Sequence, residues 1–257
     1  MVLKVGYLTI DDGPTQDFRR KVDILSEFEY PAIFFCRGDR LRERPEDAIY
    51  AIKKGYVIGN HSYDHSKFSE LTLKECFQQI RDADEEIEII YKKANIARPA
   101  KLFRFPGGDK GSNLDAEKGW PEDEGKILFM RAIQNYLKKL GYHQPIFENI
   151  TYEWYKNAKL HLDYDVYWTY DTQDWLFMNK KDEPIPEVST TDQYFNIKKL
   201  KERMDEDEPE GCRGLNYKKS SDIILLHDYI GTEYLFKPLL EALSAKGLYF
   251  KKPIFNL

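Results

Sequence analysis

Cysteine is scarce. The 257 residues hold three, Cys36, Cys76 and Cys212, widely spaced and without a C-x-x-C pair. That excludes a disulfide framework or a thiolate zinc site as the organising device. Cys36 lies in an apolar run and Cys76 on an apolar helical face, so both are expected as buried thiols. Long hydrophobic runs are missing as well, which predicts no membrane span. No signal-peptide pattern is present, since Met1-Val2-Leu3-Lys4-Val5 runs straight into a strand-like segment. As it stands the chain reads as soluble and cytoplasmic, or as secreted or periplasmic if a leader has been removed. There is no surplus of positive charge: 39 Lys and Arg face 44 Asp and Glu, a formal charge of −5. A chain without a basic field is not expected to have nucleic acid as its main partner. Internal repeats and low-complexity tracts are also absent, which excludes a solenoid. Nothing in the pattern speaks to oligomeric state.

What is present is a globular composition, 42% hydrophobic and 32% charged, long enough for one sizeable core. We read residues 1–257 as a single domain. Aromatics are abundant, with 18 Tyr, 15 Phe and 4 Trp; these stack on sugars but also fill cores. Short apolar runs alternate with helical periodicity. Val5–Ile10, Ala32–Cys36, Val57–Asn60, Leu102–Phe105, Val166–Tyr170, Ile223–Leu226 and Leu248–Phe250 read as strands. Thr15 is positioned to cap a helix bearing Phe18, Val22, Leu25 and Phe28. Pro45 opens a helix ended by Gly55, and Thr72 with Glu75 makes a capping box before a long one. Further helices are predicted over Lys126–Leu140 and Glu233–Lys246. The alternation predicts an α/β fold with a parallel sheet, open or closed into a barrel. A (β/α) barrel is preferred because the polar residues of interest follow strand ends, where an open doubly wound sheet would also place a ligand. Residues 109–165 break the rhythm and read as an insertion, polar at first, then helical, then rich in aromatics.

The polar residues of interest follow strand ends. Asp11-Asp12-Gly13-Pro14 follows the first strand, where adjacent carboxylates splay to opposite sides. His61-Ser62-Tyr63-Asp64-His65 follows the third; four-residue spacing on a helical turn brings two imidazoles to one ion. Arg104-Phe105-Pro106-Gly107-Gly108 offers a guanidinium for a carboxylate and a turn that lets backbone approach a ligand. Asp171-Thr172-Gln173-Asp174-Trp175 sets an acid beside an indole, and Leu225-Leu226-His227 ends an apolar run with a histidine. Each alone has an ordinary alternative: an acidic turn, a pair of core histidines, a helix cap.

In chain order, however, these segments resemble the motifs of the polysaccharide deacetylase family, also called the NodB-homology domain or carbohydrate esterase family four. Thr9-Ile10-Asp11-Asp12-Gly13 is similar to its TFDDG motif, with Ile10 for the usual Phe, and His61–His65 to H-[S/T]-x-x-H. Arg104–Pro106 resembles R-x-P, with Gly107 where an aromatic often stands. Asp171–Trp175 resembles D-x-x-D-W, and Leu225–His227 resembles L-x-H. The resemblance implies a distorted, partly open (β/α) barrel and one divalent metal held by Asp12, His61 and His65. Zinc is the expected ion; cobalt, nickel or manganese fits the same ligands. It further implies Asp11 as general base oriented by Arg104, and His227 as general acid tuned by Asp174. Trp175 and Leu225 would line an acetyl slot, and Pro106 and Gly107 would contact the substrate. The implied activity is hydrolysis of N-acetyl groups on a glycan of the chitin or peptidoglycan type, a hydrolase acting on carbon–nitrogen bonds other than peptide bonds. Two readings compete: an amidase acting on a small cyclic or linear amide, and a non-catalytic carbohydrate-binding relative. The insertion could wall or cover the substrate groove, with Trp120, Tyr152, Trp154 and Tyr155 stacking on sugars, or its aromatics could bury it against the barrel.

Overall fold

β-branched and aromatic runs build the sheet, and amphipathic segments cover one of its faces. The computed structural model describes residues 4–113, 119–177, 197–206 and 214–255. In chain order the elements are β1 (Lys4–Asp11), α1 (Phe18–Glu27), β2 (Ala32–Cys36), α2 (Gly38–Glu43), α3 (Pro45–Lys53), β3 (Val57–Asn60), α4 (Leu73–Ala94), α5 (Glu124–Lys139) and α6 (Glu153–Asn157). They continue with β4 (Tyr170–Asp171), α7 (Ile197–Met204), β5 (Asp222–His227), α8 (Glu233–Ala245) and β6 (Leu248–Phe250). The strands pair in the order β3-β2-β1-β5-β4, all parallel, with β6 joined to the start of β1. Among the described residues the sheet does not close, in keeping with the partly open barrel that the resemblance implies.

Alternation along each strand sorts two cores. Leu8, Ile10, Phe34, Cys36, Ile224 and Leu226 face outward onto α1, α3 and α8. Ile33, Phe35, Ile223 and Leu225 face inward with Leu102, Val166 and Trp168. Cys36 and Cys76 are buried free thiols, as expected; Cys212 lies outside the described residues. No described helix is long and apolar enough to cross a membrane.

Several elements differ from the sequence reading. Leu102–Phe105 is no strand; one bridge, Asn60 to Phe103, is all that forms. The Arg104 carbonyl bonds the His61 ring at 2.9 Å instead of a ladder partner. Of Val166–Tyr170, regular pairing takes in only Tyr170 and then Asp171, because the Thr169 hydroxyl takes the Ile223 N–H that a ladder would use. Thr15 does not cap α1, whose N-cap is Asp17. The Thr72–Glu75 capping box does form.

The aromatic part of the insertion goes to the end opposite the strand C-termini. Tyr152 and Tyr155 are buried in the inner core, and the Tyr152 hydroxyl donates to Asp222, the first residue of β5, at 2.7 Å. Ser221 N–H donates to Asn149 O, and Glu148 N–H to the Tyr7 hydroxyl. These two aromatics plug the bottom of the barrel. Trp154 packs against the same core, and Trp120 lies against Arg131. Earlier in the insertion, α5 lies along α4, with Phe77 stacked on Tyr136 at 4.1 Å.

Candidate metal and catalytic site

The site begins with the pleat of β1. Thr9 and Asp11 point into the barrel, and the next residue leaves the strand. Asp12 adopts φ 71°, a left-handed conformation that ends the extended run. Where the sequence predicts that the acidic pair splays apart, both carboxylates approach His61 Nε2, Asp12 Oδ1 at 3.6 Å and Asp11 Oδ2 at 3.7 Å.

Asp12 meets two imidazoles. Its Oδ1 lies 3.1 Å from His65 Nε2 and 3.6 Å from His61 Nε2. One ligand atom from each of the three lies within 4.8 Å of the others. The two histidines converge differently from the expectation: residues 61–65 are not a helical turn. Ser62 (φ 62°) and His65 (φ 69°) are left-handed, and the loop folds on itself with His65 N–H donating to Ser62 Oγ. Such backbones cost free energy in non-glycine residues and persist where surroundings fix them. Here Gly38 N–H and Asp39 N–H, at the start of α2, donate to the carbonyls of Ser62 and Tyr63, while Arg37 N–H donates to Gly13 O. A side chain at Gly38 would meet Tyr63 at 2.5 Å and the Ala83 backbone at 2.9 Å, so only glycine lets α2 reach both loops.

A divalent ion suits this donor set. Asp12 Oδ1 is buried and accepts no hydrogen bond. His61 Nδ1 lies 2.9 Å from the Arg104 carbonyl, which orients the ring and leaves Nε2 toward Asp12. Burial, opposed by Asp12, holds His61 and His65 down at about 4, so both are neutral at pH 7. Burial would raise the Asp12 carboxyl, but the His65, His61 and His227 charges and Arg40 outweigh it and bring it to about 2. Neutral imidazoles and an ionised carboxylate are the forms that ligate zinc.

Asp11 stands beside that cluster, its Oδ2 3.7 Å from His61 Nε2. Arg104, 1% exposed, holds the other oxygen at 2.9 Å and also donates to Thr9 Oγ1 and Val166 O. Its guanidinium lies over the Phe35 ring at 4.4 Å. Burial pushes Asp11 up to about 6 despite Arg104 and His227, with Asp12 adding to the rise.

His227 closes the group. It pairs directly with Asp11 across the β1–β5 ladder, so the two side chains leave the same face of neighbouring strands, roughly 4.8 Å apart in the backbone. Asp174 grips it twice, accepting from the ring Nδ1 at 2.6 Å and from the backbone N–H at 2.7 Å. Burial would lower its pKa, but the charge and hydrogen bond of Asp174, with Asp12 and Asp11, raise it to about 10.

The remaining expected residues spread around this centre. Gly107 has φ 57° and open space where a Cβ would stand. Pro106 is buried before it. Leu225 lies in the inner core two residues before His227 on the same face, and Trp175 is 43% exposed just after Asp174. Sequence reasoning missed several members. Lys21 and Asp228 are fully buried and paired at 2.8 Å, and Asp228 also accepts from Thr15 N–H and hydroxyl, tying the β1 and β5 loops together. A lysine three residues after Phe18 on the apolar face of α1 is the signal that would have found this pair. Tyr229, stacked on His227, carried no such signal.

Buried carboxylates and imidazoles gathered at the strand C-termini stand where an α/β barrel places its active site. Residues 3–118, a little under half of the chain, match the family model described as polysaccharide deacetylase. It is 39% identical over 115 residues to the peptidoglycan-N-acetylmuramic acid deacetylase PdaC of Bacillus subtilis (strain 168). That match covers 44% of this chain and 24% of PdaC, so the chain spans only a part of that relative's length. The fold is similar to a family 4 carbohydrate esterase from Streptomyces lividans, with TM-score 0.57, 17% identity, and coverage of 97% of this chain and 92% of that one. It is also similar to a pseudoenzyme of that esterase family from Bacillus anthracis, with TM-score 0.57, 18% identity, and coverage of 95% and 62%. The metal-ligand candidates and Arg104 fall within the family match; Asp174 and His227 fall beyond it.

Proposed function

We propose that the chain is a metal-dependent deacetylase that hydrolyses the acetamide of an N-acetylated glycan. The observation that carries this is the pairing of Asp11 with His227 across β1 and β5, beside the Asp12–His61–His65 cluster. It puts a carboxylate and a protonated imidazole on one face, a strand apart, as a base and an acid acting on one amide require.

Asp12, His61 and His65 would hold the ion. When bound, it supplies Lewis acidity toward the scissile carbonyl oxygen and makes water a stronger acid. Asp11 takes the proton of the attacking water through Oδ2, because Arg104 and its partners hold Oδ1 in place. An amine leaves poorly unless protonated, and His227, charged at pH 7 and gripped through Nδ1, gives that proton from Nε2. Gly107, with open space beside it, admits the substrate closely enough for its N–H to meet the developing oxyanion. Trp175 and Leu225 supply the apolar wall and floor for the methyl group. The substrate class rests on the family and on the PdaC likeness; peptidoglycan and chitin-type oligomers are the first two to test.

The pseudoenzyme neighbour makes the non-catalytic reading concrete. Against it stands the complete set of ligand candidates, base and acid here. Asp11→Asn and His227→Ala should each keep the metal and lose most acetate release, on the order of a hundredfold or more. Full activity in either variant removes the assignment.

A further inference from the structure

His227 is restrained in its ring plane by Asp174, but a hydrogen bond at one ring nitrogen leaves the ring free to tilt about that bond. A proton donor needs its other nitrogen aimed. The restraint out of plane comes from the next loop. The Tyr229 ring lies flat on the His227 imidazole, centroids 5.0 Å apart and planes 13° apart. Tyr229 is itself held from behind. Its carbonyl accepts from Lys21 Nζ at 2.8 Å and from the Thr232 hydroxyl at 2.8 Å. Its neighbour Asp228, fully buried, is bound to Lys21 and Thr15. The ring is therefore pinned to the same network that joins the β1 and β5 loops, and it stacks on an imidazole that is cationic at neutral pH, a contact that aromatic faces favour.

We propose that Tyr229 is a positioning residue: its ring, pressed on the His227 imidazole, keeps Nε2 aimed at the leaving nitrogen. The proposal rests on the reading of His227 as proton donor. It assigns the work to the aromatic face and none to the hydroxyl.

The test compares wild type, Tyr229→Phe and Tyr229→Leu, zinc-loaded, in two measurements. The first is acetate release from an N-acetylglucosamine oligomer, resolved into kcat and KM. The second is the His227 Hδ2 proton resonance in histidine-labelled protein, assigned by its loss in His227→Ala; with five histidines in the chain the spectrum is simple. Tyr229→Phe should keep kcat within about twofold. Tyr229→Leu should lose about two- to tenfold in kcat with KM unchanged, the size of one aromatic stack. The Hδ2 resonance should show the upfield ring-current shift in wild type and Tyr229→Phe and lose it in Tyr229→Leu. Unchanged kcat in Tyr229→Leu, an equal loss in Tyr229→Phe, an effect on KM alone, or one Hδ2 position in all three proteins would each overturn it. If the wild type releases no acetate, the deacetylase reading fails, while the resonance still decides whether Tyr229 orients the ring.

Discussion

At the scale of the residue, His227 shows opposing influences resolved by geometry. Burial disfavours its charge, yet Asp174, bound to both its ring and its backbone, wins and lifts it to about 10. A folded pKa above the ordinary 6.5 means that the pair stabilises the fold fully below that value and loses its contribution as pH rises through about 10. In Asp174→Asn the thermal midpoint should accordingly fall most at pH 6–7, with the gap to wild type closing toward pH 10.5. The basic limb of the activity profile should move down from about 10 in the same variant. A limb that stays in place would mean that Asp174 does not tune His227. Asp11, Asp12, His61, His65, Arg104, Asp174 and His227 could be named beforehand because their segments, in chain order, resemble the polysaccharide deacetylase motifs; each segment alone had an ordinary alternative. What was not legible was how they converge. The left-handed backbone at Asp12, Ser62 and His65 depends on contacts from α2, which no local pattern in those loops encodes.

At the scale of the element, α1 does more than cover the sheet. Its apolar face carries Phe18, Val22 and Leu25, and on that same face Lys21 reaches Asp228, Tyr229 and Thr232. Removing one partner of a fully buried pair leaves an uncompensated charge, typically about 3–5 kcal/mol. Lys21→Met should lose that much in denaturant unfolding, and Lys21→Met with Asp228→Asn should recover a good part of it. Equal losses in single and double variants would show that the pair is not coupled. Helical periodicity placed α1, α3, α4, α5 and α8 within a few residues. Strand patterning placed β1, β2, β3, β5 and β6. It failed at Leu102–Phe105 and Val166–Tyr170, where His61 and Thr169 take over backbone hydrogen bonds that a ladder would otherwise use. Apolar content alone cannot reveal a side chain that captures a backbone partner.

At the scale of the molecule, function and closure sit at opposite ends of one barrel. The strand C-termini carry the polar centre, and the aromatic part of residues 109–165 seals the other end with Tyr152 and Tyr155. The choice between a sugar-stacking lid and a buried plug could not be made from composition, since either use calls for aromatics. Tyr152→Ala should therefore cost about 3–5 kcal/mol of stability and leave KM for the glycan unchanged in the folded enzyme. A rise in KM without loss of stability would put this segment over the substrate instead. The account as a whole is tested most directly by loading the purified chain with zinc or cobalt, counting bound metal, and following acetate release from N-acetylglucosamine oligomers and peptidoglycan. It predicts one ion per chain, acetate released, and both lost in His61→Ala. A chain that binds no divalent metal and releases no acetate after zinc or cobalt is added would contradict it.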